Sequence, residues 1–186
     1  MSVEDSALYI SRFRLFHKGY LGVVRYILRE NRYIIIVIGA AQQPPCWDNP
    51  FSGKERAAMI VQTLSHEGLV KRAKVVQIDE TGIAYDEWAS LVESICPHFD
   101  MIFSNSELVR LLLGKSGHRS KSVPLFPSKE YSFDYLRERM VRSLNWEDFV
   151  PRPVVIFIKE HRLDERVIKL SSRYKNPYQA EKCDEP

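Results

Sequence analysis

Ser11-Arg12-Phe13-Arg14-Leu15-Phe16-His17-Lys18-Gly19-Tyr20 is the stretch on which the fold turns. Leu8 to Phe13, which overlaps its start, is an apolar run of strand length. After the turn at Lys18-Gly19, Leu21, Val24, Ile27 and Leu28 fall on one helical face, which predicts a helix ending near Asn31. Tyr33 to Ile38 follows as a continuous β-rich run stopped by Gly39, the kind of strand that is covered on both faces and central in a parallel sheet. A loop that leaves a strand and opens a helix lies at the carboxyl edge of such a sheet. There the backbone N–H groups and the positive helix end face an anion, which is why phosphates collect at this position. His17 stands at that edge. Taken alone, it reads as a satisfied histidine at a loop–helix junction.

Working outward, a Pro-rich loop from Gln43 to Pro50 leads to Ser52, with Glu55 placed to complete a capping box for a helix through Leu64. Val75 to Ile78 is the next strand, Asp86 to Ile95 a helix, and Met101 to Phe103 another strand. Asn105 and Ser106 introduce Leu108 to Leu113, Lys121 to Phe126 reads as the last strand, and Ser132 caps a helix holding Leu136, Met140 and Val141. Pro153 opens a C-terminal helix through Leu170. Strands alternating with helices predict an α/β class, a Rossmann-like parallel sheet with helices on both faces. Residues 1–170 form one domain on this reading, and the polar, aperiodic segment 171–186 is expected to be a mobile tail.

Composition narrows the function classes. With 186 residues, 45% hydrophobic and 27% charged, the chain has enough apolar material for one domain with a real core. The 27 basic and 24 acidic residues leave a net charge of +3, too small to require a nucleic-acid partner but compatible with phosphorylated small molecules. Cys46, Cys96 and Cys183 are widely spaced, which suggests neither a disulfide framework nor a zinc site and fits a reducing cytosol. The strongest apolar run, Ile34 to Ile38, is far shorter than a membrane span, so a soluble, cytoplasmic protein without a membrane partner is expected.

The opening stretch resembles the Gly-Arg-Phe-Gln-Pro-Phe-His-x-Gly-His motif of nicotinamide-nucleotide adenylyltransferases, in particular the archaeal family, with Arg12, Phe13, Phe16, His17 and Gly19 matching. Ile38-Gly39-Ala40-Ala41-Gln42 and Asn49-Pro50-Phe51-Ser52-Gly53-Lys54-Glu55-Arg56 look like two further blocks of that family at nearly the same spacing. Trp88, Val92-Glu93-Ser94 and Pro97-His98-Phe99 fall in register. Tyr131-Ser132 with Leu136-Arg137-Glu138-Arg139-Met140 is similar to its late phosphate-binding block, and Trp146 to Pro151 and Val154-Val155 continue the likeness. Ordered blocks over most of the chain are far more specific than one short motif.

The resemblance implies transfer of AMP from ATP to nicotinamide mononucleotide, giving NAD and pyrophosphate with Mg2+ present. His17 would donate to the α-phosphate, while Arg137 and the amides of the helix beginning near Ser132 would hold the β- and γ-phosphates. Trp88 would stack on the nicotinamide ring; as a core residue beside Leu91 and Val92 it has an equally good structural reading. Ser11, Arg12, Phe13, Gly19, Gly39, Ala41, Gln42, Asn49 and Asp134 complete the implied nucleotide contacts. No protein metal ligand is implied.

Several positions depart from the family pattern. Its leading glycine is Ser11, its Gln-Pro pair is Arg14-Leu15, and its second histidine is Tyr20. Tyrosine still donates a hydrogen bond but carries no positive charge near neutral pH, and losing one transition-state donor costs about a hundred- to a thousandfold in rate. A threonine of the late block becomes Asp134, and a basic residue before Asn-Pro-Phe becomes Asp48, each adding negative charge near expected phosphate sites. The alternative is therefore a divergent paralogue that binds a nucleotide with altered substrate or without turnover, in a regulatory or binding role.

Other classes have less support. Gly114-Lys115-Ser116 lacks the earlier glycine of a phosphate loop, since Val109 stands there. Lys115, His118, Arg119 and Lys121 form a basic cluster that reads more simply as a solvated loop than as a nucleic-acid contact. The residues leave open a homo-oligomer.

Overall fold

The Ile34–Ile38 run is apolar at every position, so it needs cover on both faces, and the structure supplies it. The computed structural model describes residues 4–124 and 129–173. Five strands, β1 (Glu4–Ser11), β2 (Asn31–Ile38), β3 (Ala73–Gln77), β4 (Met101–Phe103) and β5 (Arg119–Lys121), form one sheet in the order β3-β2-β1-β4-β5. Every pairing is parallel, for example Tyr9 with Ile36 on one side and with Phe103 on the other. Tyr33 to Ile38, expected at the centre, lies one strand away from it; β1 takes the middle.

Seven helices complete the described chain: α1 (Lys18–Glu30), α2 (Gly53–His66), α3 (Tyr85–Ile95), α4 (Glu107–Lys115), α5 (Phe133–Val141), α6 (Arg152–Glu160) and α7 (Leu163–Arg173). They divide between the faces according to strand alternation. Ala7, Tyr9, Ile34, Ile36 and Phe103 point into a core with α1, α2 and α5 to α7, including Val24, Ile27, Met59, Leu136 and Val167. Leu8, Ile10, Ile35, Val37 and Ile102 point the other way, onto Ala89, Val92 and Leu113 of α3 and α4. This is a Rossmann-like α/β fold with helices on both faces.

Three expected elements differ. The first strand, expected over Leu8 to Phe13, runs from Glu4 to Ser11 and leaves Phe13 in the loop that follows. The last strand was expected over Lys121 to Phe126 but ends at Lys121; Leu125 and Phe126 lie outside the described residues. The single C-terminal helix expected from Pro153 through Leu170 is two helices, broken where Arg162 adopts a left-handed φ of 51°. That residue reverses the chain, so Leu163 and Val167 return to the core and Arg166 reaches across to α2. α7 runs on to Arg173, past the point where the polar tail was expected to begin at Ser171; the remaining tail lies outside the described residues. Cys46 is disulfide-bonded, which the wide cysteine spacing did not suggest, while Cys96 is a free thiol whose pKa burial pushes up to about 11.

Among the described residues no helix is long and apolar enough to cross a membrane. Sequence neighbours β1, β2 and β3 step outward in one direction, and β4 returns to the other side of β1. The carboxyl ends of β1 and β4 therefore border the reversal of strand order, where open α/β sheets form a crevice.

Candidate functional site

The loop after β1 carries the first group of side chains to that edge. Phe13 takes a left-handed φ of 45°, a conformation unfavourable for an aromatic residue, and its ring is fully buried against Tyr9 and Tyr20. His17 is the N-cap of α1, and its Nδ1 accepts the Tyr20 backbone N–H at 3.2 Å. With Nδ1 accepting, the proton of the neutral ring is on Nε2. Burial holds the His17 pKa down at about 4, so the imidazole is a neutral N–H donor. Gly19 makes this seat possible: a Cβ there would lie 2.9 Å from His17 Nδ1 and 3.2 Å from Tyr131 Cβ.

Tyr20 stacks on His17 with ring centroids 4.1 Å apart, and its hydroxyl is 3.3 Å from Ser11 Oγ. Burial raises its pKa, so the phenol stays protonated. Tyr131, from the turn before α5, approaches the same imidazole at 5.9 Å and an interplanar angle of 30°. Ser132 follows as the N-cap of α5, its Oγ accepting from the Tyr135 backbone N–H. Two helix heads separated by over a hundred residues of sequence are thus joined at one histidine.

The turn after β2 forms the neighbouring wall. Ala40 also has a left-handed φ, 48°. Its backbone N–H donates to Glu80 Oε2 at 2.9 Å, while Glu80 Oε1 accepts the Trp88 indole N–H at 2.8 Å. Trp88 is consequently held beside the Gly39 to Gln42 turn, half-buried against the α3 side of the sheet, and Gln42 Oε1 accepts from the Glu80 backbone N–H. Asn49 is enclosed rather than open: it is buried, and its Oδ1 has no hydrogen-bond partner.

Arg56 joins both loops. It is 1% exposed and donates to the backbone carbonyls of Arg12, Gly39 (3.0 Å) and Ala40 (2.7 Å). Those carbonyls flank or belong to the two left-handed residues, so one guanidinium satisfies the groups that the strained turns direct inward. Burial and the nearby Arg12 lower its pKa to about 10, which leaves it charged at neutral pH. Sequence reading placed Arg56 in a matched block without a role; a lone arginine at the second turn of a helix gives no local sign that it will be buried. Glu80 was missed altogether, since it lies between blocks.

Arg137, expected to hold the β- and γ-phosphates, has partners within the protein. It donates to Trp47 O at 2.8 Å, to Asp134 Oδ1 at 2.9 Å and to Asp48 Oδ1 at 3.4 Å. Its guanidinium carbon lies 4.2 Å from the Trp47 ring centroid and 5.1 Å from that of Phe133. The two aspartates that depart from the family pattern therefore converge on its arginine. Arg12 is exposed and Arg14 half-buried, and neither guanidinium makes a hydrogen bond among the described residues. His118 pairs with Glu93 and Lys121 with Glu30, so members of the basic cluster have acidic partners.

Magnesium was expected with the nucleotide. Among the described residues no group of three His, Cys, Asp or Glu side chains could hold a metal, and Asp48 and Asp134 are both committed to Arg137. Among the described residues, the side chains do not fit a resident metal.

The fold and this pair of helix heads at the strand-order reversal define a Rossmann-like α/β protein with a crevice suited to a phosphate-bearing ligand. No family model matches the chain. It is 40% identical over 169 residues to the nicotinamide-nucleotide adenylyltransferase of Thermoplasma volcanium, covering 91% of this chain and 94% of that one. The enzyme of the same name from Pyrococcus furiosus is 32% identical, covering 89% and 88%. The chain belongs to the nicotinamide-nucleotide adenylyltransferase family. Among solved structures, the bifunctional NMN adenylyltransferase/ADP ribose pyrophosphatase of Francisella tularensis, complexed with AMP and a manganese ion, has the same fold, with a TM-score of 0.75 at 16% identity. That match covers 91% of this chain but 53% of the bifunctional protein, so the chain spans about half its length.

Proposed function

We propose that the protein transfers AMP from ATP to nicotinamide mononucleotide, releasing NAD and pyrophosphate. A phosphate oxygen of the mononucleotide attacks the α-phosphorus, the bond from that phosphorus to the bridging oxygen breaks, and its electron pair leaves with pyrophosphate. The observation that carries this reading is the meeting of the α1 and α5 heads at His17, because two sets of amide donors then face one phosphate chain. His17 supplies its Nε2–H to the α-phosphate without a change of protonation, and the loops tied by Arg56 set the distance between nucleotide and acceptor. The nucleotide substrate would bring its own magnesium, since among the described residues no group of three His, Cys, Asp or Glu side chains could hold the ion.

The occupation of Arg137 by Asp48 and Asp134 supports a second reading, in which a nucleotide binds without turnover or the donor differs from ATP. Incubation with magnesium, each nucleoside triphosphate and nicotinamide mononucleotide, with assay of pyrophosphate and dinucleotide, separates the two. Dinucleotide from ATP is the expected product. Nucleotide binding with no pyrophosphate released would establish the second reading instead.

A further inference from the structure

Arg12 and Arg14 carry the free positive charge of the loop after β1, and the other groups at the two helix heads add little. His17 is neutral, Tyr20 is an uncharged phenol, Lys18 Nζ donates to Asp148 O at 2.5 Å, and Arg137 is held by two carboxylates. Arg14 differs from these. Its guanidinium lies 5.7 Å from the Phe133 ring centroid, the same ring that Arg137 approaches, and makes no hydrogen bond among the described residues. It is close enough to Tyr20 and Arg56 to act on both electrostatically. Phe133 is the first residue of α5, directly after the Ser132 cap, so the seat lies between the two helix heads.

We propose that Arg14 contacts the phosphate oxygens of the nucleotide between the heads of α1 and α5, supplying the positive charge that the rings at positions 17 and 20 lack. The inference rests on the nucleotidyl-transfer reading and assigns its charge donor. A guanidinium seated on an aromatic face keeps its N–H edge free for a planar, bidentate phosphate contact. Charge on those oxygens redistributes as the α-phosphorus is attacked and pyrophosphate leaves, so a fixed cation there acts more on rate than on affinity for the mononucleotide. The pattern also links two departures in one loop: Arg14 where the family has glutamine, and Tyr20 where it has histidine. One gains a charge, and the other exchanges an imidazole for a phenol.

The test compares wild type, Arg14→Gln, Arg14→Lys, Tyr20→His and the double variant Arg14→Gln/Tyr20→His in turnover with magnesium, ATP and nicotinamide mononucleotide. Arg14→Gln is expected to lower kcat by about a hundredfold with little change in the KM for the mononucleotide. Arg14→Lys should retain part of the rate, and thermal midpoints should stay level across the series. Tyr20→His should raise turnover more in the Arg14→Gln background than in wild type, because the restored histidine then replaces a missing donor. Unchanged kcat in Arg14→Gln, or a loss matched by a fall in thermal midpoint, would overturn the proposal. If wild type itself releases no pyrophosphate, the enzyme reading fails separately. Titration with ATP and inorganic pyrophosphate then decides Arg14: weaker binding of both by Arg14→Gln upholds the phosphate contact, and equal affinities overturn it.

Discussion

Water stabilises a protonated imidazole, and the head of α1 removes that water from His17. Its pKa of about 4, against 6.5 for an exposed ring, makes folding sensitive to acid in a stated direction. Above pH 6.5 the ring is neutral in both folded and unfolded chains, and His17 contributes no pH dependence. As pH falls from 6.5 toward 4 the unfolded chain binds a proton that the folded site refuses, and stability drops by up to roughly 3 kcal/mol. Urea unfolding of wild type and His17→Asn across this window should show the wild type losing stability faster on acidification; parallel curves would mean the ring is solvated in the folded protein. Asp134 gives a second prediction at this scale. It is an exposed first-turn residue worth about half a kcal/mol to α5 through the helix dipole, yet it also holds Arg137. Asp134→Thr should tighten binding of metal-free ATP, on the order of tenfold, by removing a repelling carboxylate and releasing the arginine. Identical ATP affinities, with magnesium chelated away, would reduce Asp134 to a helix-start residue.

Elements meet through α2. Its capping box, Ser52 with Glu55, was legible from spacing alone and is present, with Glu55 Oε2 accepting from the Ser52 backbone N–H at 2.8 Å. What spacing did not reveal is that Glu55 also receives both guanidinium nitrogens of Arg166 from α7, each at 2.8 Å, because the partner is 111 residues away. Gly53, the first helical residue, permits the close seat of α2 against the β2 turn: a Cβ would fall 2.4 Å from Ala41 O. One turn further on, Arg56 ties that turn to the loop after β1. Arg56→Met should leave three carbonyls without a donor and cost about 3 kcal/mol or more, with amide exchange accelerating first around residues 12–14 and 39–41. Uniform acceleration over the whole sheet would show that Arg56 supports global stability rather than these two turns.

Across the whole molecule, the strand order concentrates the site at one edge. A structure with bound nucleotide should show it spanning the Arg12 to Gly19 loop and the Gly39 to Gln42 turn, with its phosphates toward Ser132. A nucleotide at a hundred times its Kd should stabilise the protein by about 2.7 kcal/mol. Ligand density at the amino ends of the strands would contradict this placement.

Apolar periodicity and the cap residues were enough to mark α1, α2, β2 and β4, because each follows from neighbours within one or two turns of chain. The ordered motif blocks carried the family for the same reason: they are read as contiguous residues. The break at Arg162 was not legible, since Pro153 to Leu170 keeps a helical period throughout and only the return of α7 to the core and Glu55 selects the left-handed turn. The character of the site was settled by tertiary structure as well. Nothing local foretells the surroundings of Arg14, Arg56 and Arg137, three arginines within the motif blocks. The fold seats the first on an aromatic face with no hydrogen bond among the described residues, buries the second against three carbonyls and sets the third between two carboxylates. A charge is defined by the partners and water around it, and apart from Asp134 those partners arrive from segments 16 or more residues away.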